Sequence, residues 1–199
     1  MKNSLYLITF LFVCVNAKSQ SILDSIEQLI AQKEFKNAEL LVDKSLAQNA
    51  ENGKASYYKG LILMEHKSNG LAMGYFKKAI IYPFEEQFMA YNEIAFLYML
   101  DRKFEEAYEA VSKAMRVNKQ NHKGHYVRGR IQAKENNFPA ALASINKAIR
   151  LNNEIAEYYV GRAKVHHITG NKRAACIDFT QAKQLGYQGL DSRIEDVCN

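Results

Sequence analysis

Five alanines recur in the chain at nearly constant spacing: Ala38, Ala72, Ala107, Ala141 and Ala175. The steps between them are 34, 35, 34 and 34 residues. A second set keeps pace seven residues later, at Ser45, Ala79, Ala114, Ala148 and Ala182. A period of this length, held over most of a chain, marks a stack of helical repeats. Stacks of this kind offer extended binding surfaces and seldom carry chemistry of their own.

Used as register marks, the alanines divide the chain into windows 19–52, 53–87, 88–121, 122–155 and 156–189. Each window predicts two amphipathic helices with a short turn between them. The first helix carries a small residue in its middle, at Gly60, Ala95, Gly129 and Ala163, with Ile26 in that place in window one. The second helix follows its alanine with a large apolar residue four positions on: Val42, Phe76, Val111, Ile145 and Phe179. Small residues let helices approach closely, and bulky ones a turn away fill the groove between neighbours. One pair cannot bury both its faces, so pairs must stack. Pro139 is placed to open the second helix of window four, and Pro83 to follow that of window two. Asn69-Gly70, Asn136-Asn137 and Gly170-Asn171 mark expected turns.

On these residues the chain resembles a tetratricopeptide repeat (TPR) protein. Window five carries the resemblance most fully, with Tyr159, Arg162-Ala163, Gly170, Ala175, Phe179 and Ala182. Windows three and four follow, with Phe104-Glu105-Glu106-Ala107 and Phe138-Pro139-Ala140-Ala141. The likeness covers residues 19–187. The chain has no Trp and lacks the family's usual proline at each repeat end. Window one is degenerate, as a terminal, capping repeat often is. The resemblance implies an all-α, α-α superhelical solenoid of about five TPR-like helix pairs. A capping helix is expected over 190–198, and a single domain over 18–199.

Residues 1–17 read differently. Lys2 is followed by an apolar run from Leu5 to Val15 and a small-residue pattern, Val15-Asn16-Ala17. The run is too short to span a membrane and predicts a secretory signal peptide cleaved after Ala17. A retained N-terminal anchor is the alternative. Lipidation at Cys14 is disfavoured, because Val13 stands where a lipoprotein signal wants a small residue. Membrane association would come only through such an anchor or lipid. The short signal and the Asn- and Lys-rich text fit an exported bacterial protein, in the periplasm, at the outer membrane or outside the cell.

Of 3 Cys, Cys14 leaves with the signal, and Cys176 and Cys198 remain. An even count in an exported chain points to a disulfide. Cys176 lies nine residues before Leu185, where its helix should end; Cys198 lies nine after Gly189. The turn around Gly186, Tyr187 and Gly189 would lead into a final helix with Leu190, Ile194 and Val197 as its apolar stripe. Two antiparallel helices of equal length bring the sulfurs level. Two free buried thiols are the alternative, in a reducing compartment.

The formal net charge is +6, from 27 basic and 21 acidic residues. Between Lys119 and Arg173 there are 11 basic residues against Glu135, Glu154 and Glu157, a balance of +8. Loss of Lys2 leaves +5 in the mature chain, hence −3 outside that segment. The asymmetry points to an acidic partner for the C-terminal half, or to a solvated helix face.

In the family the chain resembles, first helices line the concave face. The corresponding places hold Tyr57, Leu61 and Met64, then Asn92, Phe96 and Met99. They continue with Lys123, Tyr126, Arg130 and Lys134, then Val160, Lys164 and His167. The groove should be aromatic and Met-rich in its middle and basic towards its C-terminal part. Exposed aromatic and Met side chains suit an extended peptide or a partner helix. Cations beside them could fix an acidic side chain or terminal carboxylate. For Leu61 and Phe96, packing under a neighbouring repeat is the alternative. The Lys/Asn/Arg clamp by which some TPR domains grip chaperone tails is incomplete here. Asn92 and Arg130 lie in the right region, but tyrosine or valine stands at other clamp places.

Nothing in the sequence calls for catalysis, a metal or a cofactor. There is no nucleophile motif and no glycine-rich phosphate loop. His122 and His125 could share a helix face, but no nearby carboxylate or cysteine completes a metal site. Glu105-Glu106 fall at a helix start, where they favour the helix dipole. Basic charge alone raises nucleic acid, but no nucleic-acid motif accompanies it and the signal points away from that compartment. The expected function is a protein–protein interaction scaffold or adaptor of the bacterial cell envelope, capturing a peptide or helix in its concave groove. The alternative is a fixed structural subunit docked by its convex face.

Overall fold

Helix boundaries keep the sequence period. The computed structural model describes residues 20–198; the expected signal segment and Cys14 lie outside them. The described residues form helices without strands. These are α1 (residues 20–31), α2 (Phe35–Gln48), α3 (Gly53–Glu65), α4 (Asn69–Ile81), α5 (Phe88–Leu100) and α6 (Phe104–Val117). They continue as α7 (His122–Lys134), α8 (Phe138–Leu151), α9 (Ala156–Ile168), α10 (Lys172–Gln184) and α11 (Asp191–Cys198). Each sequence window holds one helix pair, and α11 stands alone after the fifth.

At four helix starts an asparagine side chain satisfies a free amide. Asn52, Asn121, Asn137 and Asn171 accept from the amides of Ala55, Gly124, Ala140 and Ala174. Pro139 sits in the first turn of α8, where its missing N–H costs nothing. The first helix of each pair ends on a left-handed residue: Lys33, Lys67, Arg102, Asn136 and Gly170, with φ from 58° to 80°. These positions recur in step with the alanines. Around each, the same two backbone bonds close the helix, as in Lys67 N to Met64 O at 2.9 Å and Ser68 N to Leu63 O at 2.8 Å. The turn of window two was expected at Asn69-Gly70. It lies two residues earlier, because Lys67 takes the left-handed place and Asn69 already opens α4.

The chain divides into two compact units, Met1–Ala90 and Tyr91–Asn199, and the span 18–199 expected as one domain runs through both. The boundary falls inside α5, not in a linker. In the first unit α3 packs against α2 and α4. In the second, α7 packs against α6, α8 and α9, α9 against α8 and α10, and α10 against α11. This neighbour-to-neighbour packing is that of a helical-repeat solenoid.

The two small-residue ladders form its seams. The five marker alanines have no solvent exposure, nor do Ala79, Ala114, Ala148 and Ala182. Val42, Phe76, Val111, Ile145 and Phe179 are buried beside them, each contributing roughly 1.5–3 kcal/mol by leaving water. Large opposes small: a Cβ on Gly60 would lie 2.5 Å from the Phe76 ring, and one on Gly129 2.6 Å from Ile145. Polar ties complete the pairs. Lys59 binds Glu39 at 3.0 Å and Asp43 at 2.6 Å. Arg162 grips buried Asp178 through Nε and Nη2 at 2.8 and 2.7 Å and donates to Asn146 at 2.6 Å. At the C-terminal end Leu190 and Val197 join Val160, Ala163 and Phe179 in one core cluster. The Ile194 side chain lies outside the description. Cys176 and Cys198 come together there, with Cα atoms 5.2 Å apart.

Candidate functional site

The second unit carries a cavity built by two first helices. On α7, Tyr126, Arg130 and Lys134 are four residues apart and share a face. On α9, Glu157, Gly161, Lys164 and Ile168 recur at helical spacing. With Phe96 of α5, Phe138 of α8 and Tyr187 after α10, they line a cavity of about 620 Å³. Gly161 makes the close approach possible, since a Cβ there would lie 2.6 Å from the Tyr126 ring. Tyr126 stacks obliquely on Tyr158, centroids 4.6 Å apart, and its hydroxyl donates to the Glu157 carbonyl at 3.1 Å. Burial, then the Glu157 carboxylate, hold that hydroxyl well above the usual phenol range, so it remains a neutral donor.

Arg130 is the central charge. Its guanidinium lies 5.1 Å from the Phe96 ring centroid and 5.7 Å from that of Tyr126, a cation–π arrangement over two rings. Nη1 reaches Glu157 Oε1 at 3.4 Å. Arg130, Lys134 and Lys164 face this cavity against one carboxylate, Glu157. An adjoining cavity of about 400 Å³ shares Phe96, Tyr126, Arg130 and Glu157 with it. Its charges balance, since Lys123 and Arg130 meet Glu93 and Glu157. Lys123 is ion-paired to buried Glu93. His122 Nδ1 lies 2.6 Å from the Tyr158 hydroxyl, and burial together with Lys123 lowers its pKa.

Six of the sequence candidates thus meet in one place: Phe96, Tyr126, Arg130, Lys134, Val160 and Lys164. Tyr57 and Leu61 line a separate cavity of about 250 Å³ in the first unit, with Tyr58, Phe84 and Glu86. Met64 is half-buried. His167 shares a further cavity with Lys164 and Phe179.

Two candidates do not face a groove. Asn92 is 1% exposed and trades amide hydrogen bonds with Asn121 at 3.0 and 2.9 Å. It serves the α7 cap, because Asn121 also accepts from Gly124. Met99 is 4% exposed, while its neighbour Leu100 is 48% exposed. The physical reason is the composition of α5. FMAYNEIAFLYML is apolar on nearly every side, so spacing could not tell its outer face from its inner. Tyr57 and Tyr126, expected as exposed aromatics, show only 8% and 5% of their surface although each lines a cavity.

Sequence reasoning missed Glu157, Phe138, Tyr187 and Gly161 as wall residues. Glu157 was visible only as one of three acids in a basic segment. Its register was the available signal: it stands one repeat after Lys123, where a cation would recur if the basic pattern held. The rings of His122 and His125 go to different partners, Tyr158 and Arg128. Among the described residues no group of three or more His, Cys, Asp or Glu is arranged to hold a metal. No described helix is long and apolar enough to cross a membrane.

A family model described as tetratricopeptide repeat matches residues 27–86 and 97–154, more than half of the chain. No curated protein sequence matches it. Among solved structures it is similar to TTC0263, a thermophilic TPR protein of Thermus thermophilus (TM-score 0.77, 21% identity, covering 90% of this chain and 98% of that one). It is similar to PilW, titled a widely conserved type IV pilus biogenesis factor (TM-score 0.74, 15% identity, 90% and 86% covered). It also resembles YrrB, titled a TPR protein with an unusual peptide-binding site (TM-score 0.55, 15% identity, 85% and 87% covered). At these identities the structures speak for the fold. With the 34-residue ladder, the recurring left-handed helix ends and the family match in agreement, the chain belongs to the tetratricopeptide repeat family.

Proposed function

We propose that this protein is an interaction scaffold of the bacterial cell envelope that captures a peptide or helix in the cavity between α7 and α9. One observation carries the reading. Arg130 is held over Phe96 and Tyr126 at a cavity of about 620 Å³ that Lys134 and Lys164 also line. Apolar wall and fixed cation together fit a peptide that offers an apolar side chain and a carboxylate. Phe96 and Tyr126 would give apolar contact; Arg130, Lys134 and Lys164 would hold acidic groups. In the first unit, Tyr57 and Leu61 would offer apolar contact of their own, with Met64 beside them. The reading involves no catalytic step, cofactor or nucleic acid. Export rests on the segment before Ala17 and on Cys176 and Cys198, whose approach suits a disulfide. PilW's pilus role is in keeping with an envelope setting.

The test is Arg130→Glu combined with Lys134→Glu, followed by pull-down from envelope extract. Loss of bound proteins with an unchanged circular dichroism spectrum is expected. An unchanged partner set would reject the cavity as the binding site.

A second reading, a fixed structural subunit docked by its outer surface, is favoured by Leu71 and Ile81 on α4. They are 64% and 69% exposed. In that case Leu71→Glu with Ile81→Glu would abolish assembly, and the Arg130/Lys134 variant would not.

A further inference from the structure

We infer that Glu157 is a built-in competitor in the α7–α9 cavity: an internal stand-in for a ligand carboxylate that a peptide must displace from Arg130. The inference rests on the cavity reading above and names the chemistry its ligand must carry.

Glu157 is the one carboxylate among the described lining residues, facing three cations. It is held loosely. A single guanidinium nitrogen of Arg130 meets a single carboxylate oxygen at 3.4 Å, and the Glu157 side chain is 54% exposed. The Tyr126 hydroxyl, at 3.1 Å from the Glu157 backbone carbonyl, stands at 3.4 Å from its carboxylate. These two contacts, both at 3.4 Å, are at the outer limit of a hydrogen bond. The guanidinium itself is placed by other means, since Phe96 and Tyr126 hold it by their ring faces. Taking Glu157 away from Arg130 therefore leaves the fork in position. Among the described residues the fork spends one nitrogen on Glu157, and a planar fork of this kind is suited to a bidentate carboxylate. An incoming peptide carboxylate, partly shielded from water by Phe96 and Tyr126, would make stronger bonds than the half-exposed Glu157 does. A neutral peptide would have to leave the Arg130–Glu157 contact intact or break it without replacement. The cavity thus favours peptides carrying Asp, Glu or a terminal carboxylate over their amide counterparts, and Glu157 holds down affinity for the acidic ones.

Two immobilised random-peptide libraries test this, identical except for Asp or Glu against Asn or Gln at one fixed position. The wild-type chain should retain more of the acidic set. Glu157→Gln should raise retention of the acidic set about two- to fivefold, the worth of removing one half-exposed competing ion pair. Retention of the amide set should not change. Arg130→Gln should erase the preference. If the wild type discriminates but Glu157→Gln leaves acidic retention unchanged or lowers it, the stand-in role is wrong and the cavity reading survives. If the wild type retains neither set, or both equally, the cavity reading fails and this inference with it.

Discussion

At the scale of single residues, the same register position serves two different ends. Tyr57, Asn92, Tyr126 and Val160 are equivalent along the repeat, yet Tyr126 walls a cavity and Asn92 is sealed inside. What decides is the partner each finds. Asn92 meets Asn121 and completes a buried amide network whose bonds are 2.9–3.0 Å long. Asn92→Ala leaves the Asn121 amide short of a partner in a site closed to water. We expect a loss of about 1–3 kcal/mol, read as a lower denaturant midpoint. Capture of the partner protein should be unchanged, since Asn92 is turned into the core. A variant that kept its stability and lost its partner would return Asn92 to the groove. Met99 teaches the same lesson from the apolar side: burial, not residue type, decides whether a side chain can bind.

At the scale of elements, each helix pair is a small-against-large seam closed by a left-handed turn. Glycine at 60 and 129 admits Phe76 and Ile145, and the Schellman-type bonds at residues 33, 67, 102, 136 and 170 end the first helices. The last element depends on a different device. Helix α11 has only 8 residues, below the length at which a helix persists by itself, and Val197 in it and Leu190 just before it join the core cluster of α10. A bond between Cys176 and Cys198, 22 residues apart, would tie it there. Oxidised protein should gain about 3 kcal/mol over the Cys198→Ser variant, seen in thermal unfolding. Intact mass should rise on reduction by the mass of two hydrogens. No mass change would mean two free thiols, and α11 would then be held by its apolar contacts alone.

At the scale of the molecule, acid should loosen the second unit. His122, His125 and His166 all lie there, and burial is the first cause lowering each pKa from 6.5. Lys123 and Arg128 add to the lowering at His122 and His125. Held neutral in the folded chain, these rings take their protons first in the unfolded one. The stability they contribute is therefore present above about pH 6.5 and is lost as pH falls below it towards their lowered native values. The thermal midpoint should drop between about pH 7.5 and about pH 5, and less so in His125→Gln. An unchanged midpoint would show that the rings are not kept neutral. Most of the fold was legible beforehand, because a repeat states its packing rule five times: small residue, large residue, turn. The candidate site was legible in part. Arg130, Lys134 and Lys164 declared themselves by charge and register, and Phe96 and Tyr126 by ring and spacing. Glu157, Phe138 and Tyr187 did not, because register places a residue along its helix but does not say which elements close around a cavity. The sequence by itself determined the helix pairs, their seams and their turns, since those depend on neighbours within about 34 residues. Only the tertiary structure decided which side chains face a cavity and which vanish into a core, and that Arg130 already has a carboxylate beside it, because burial and pairing are properties of where helices meet.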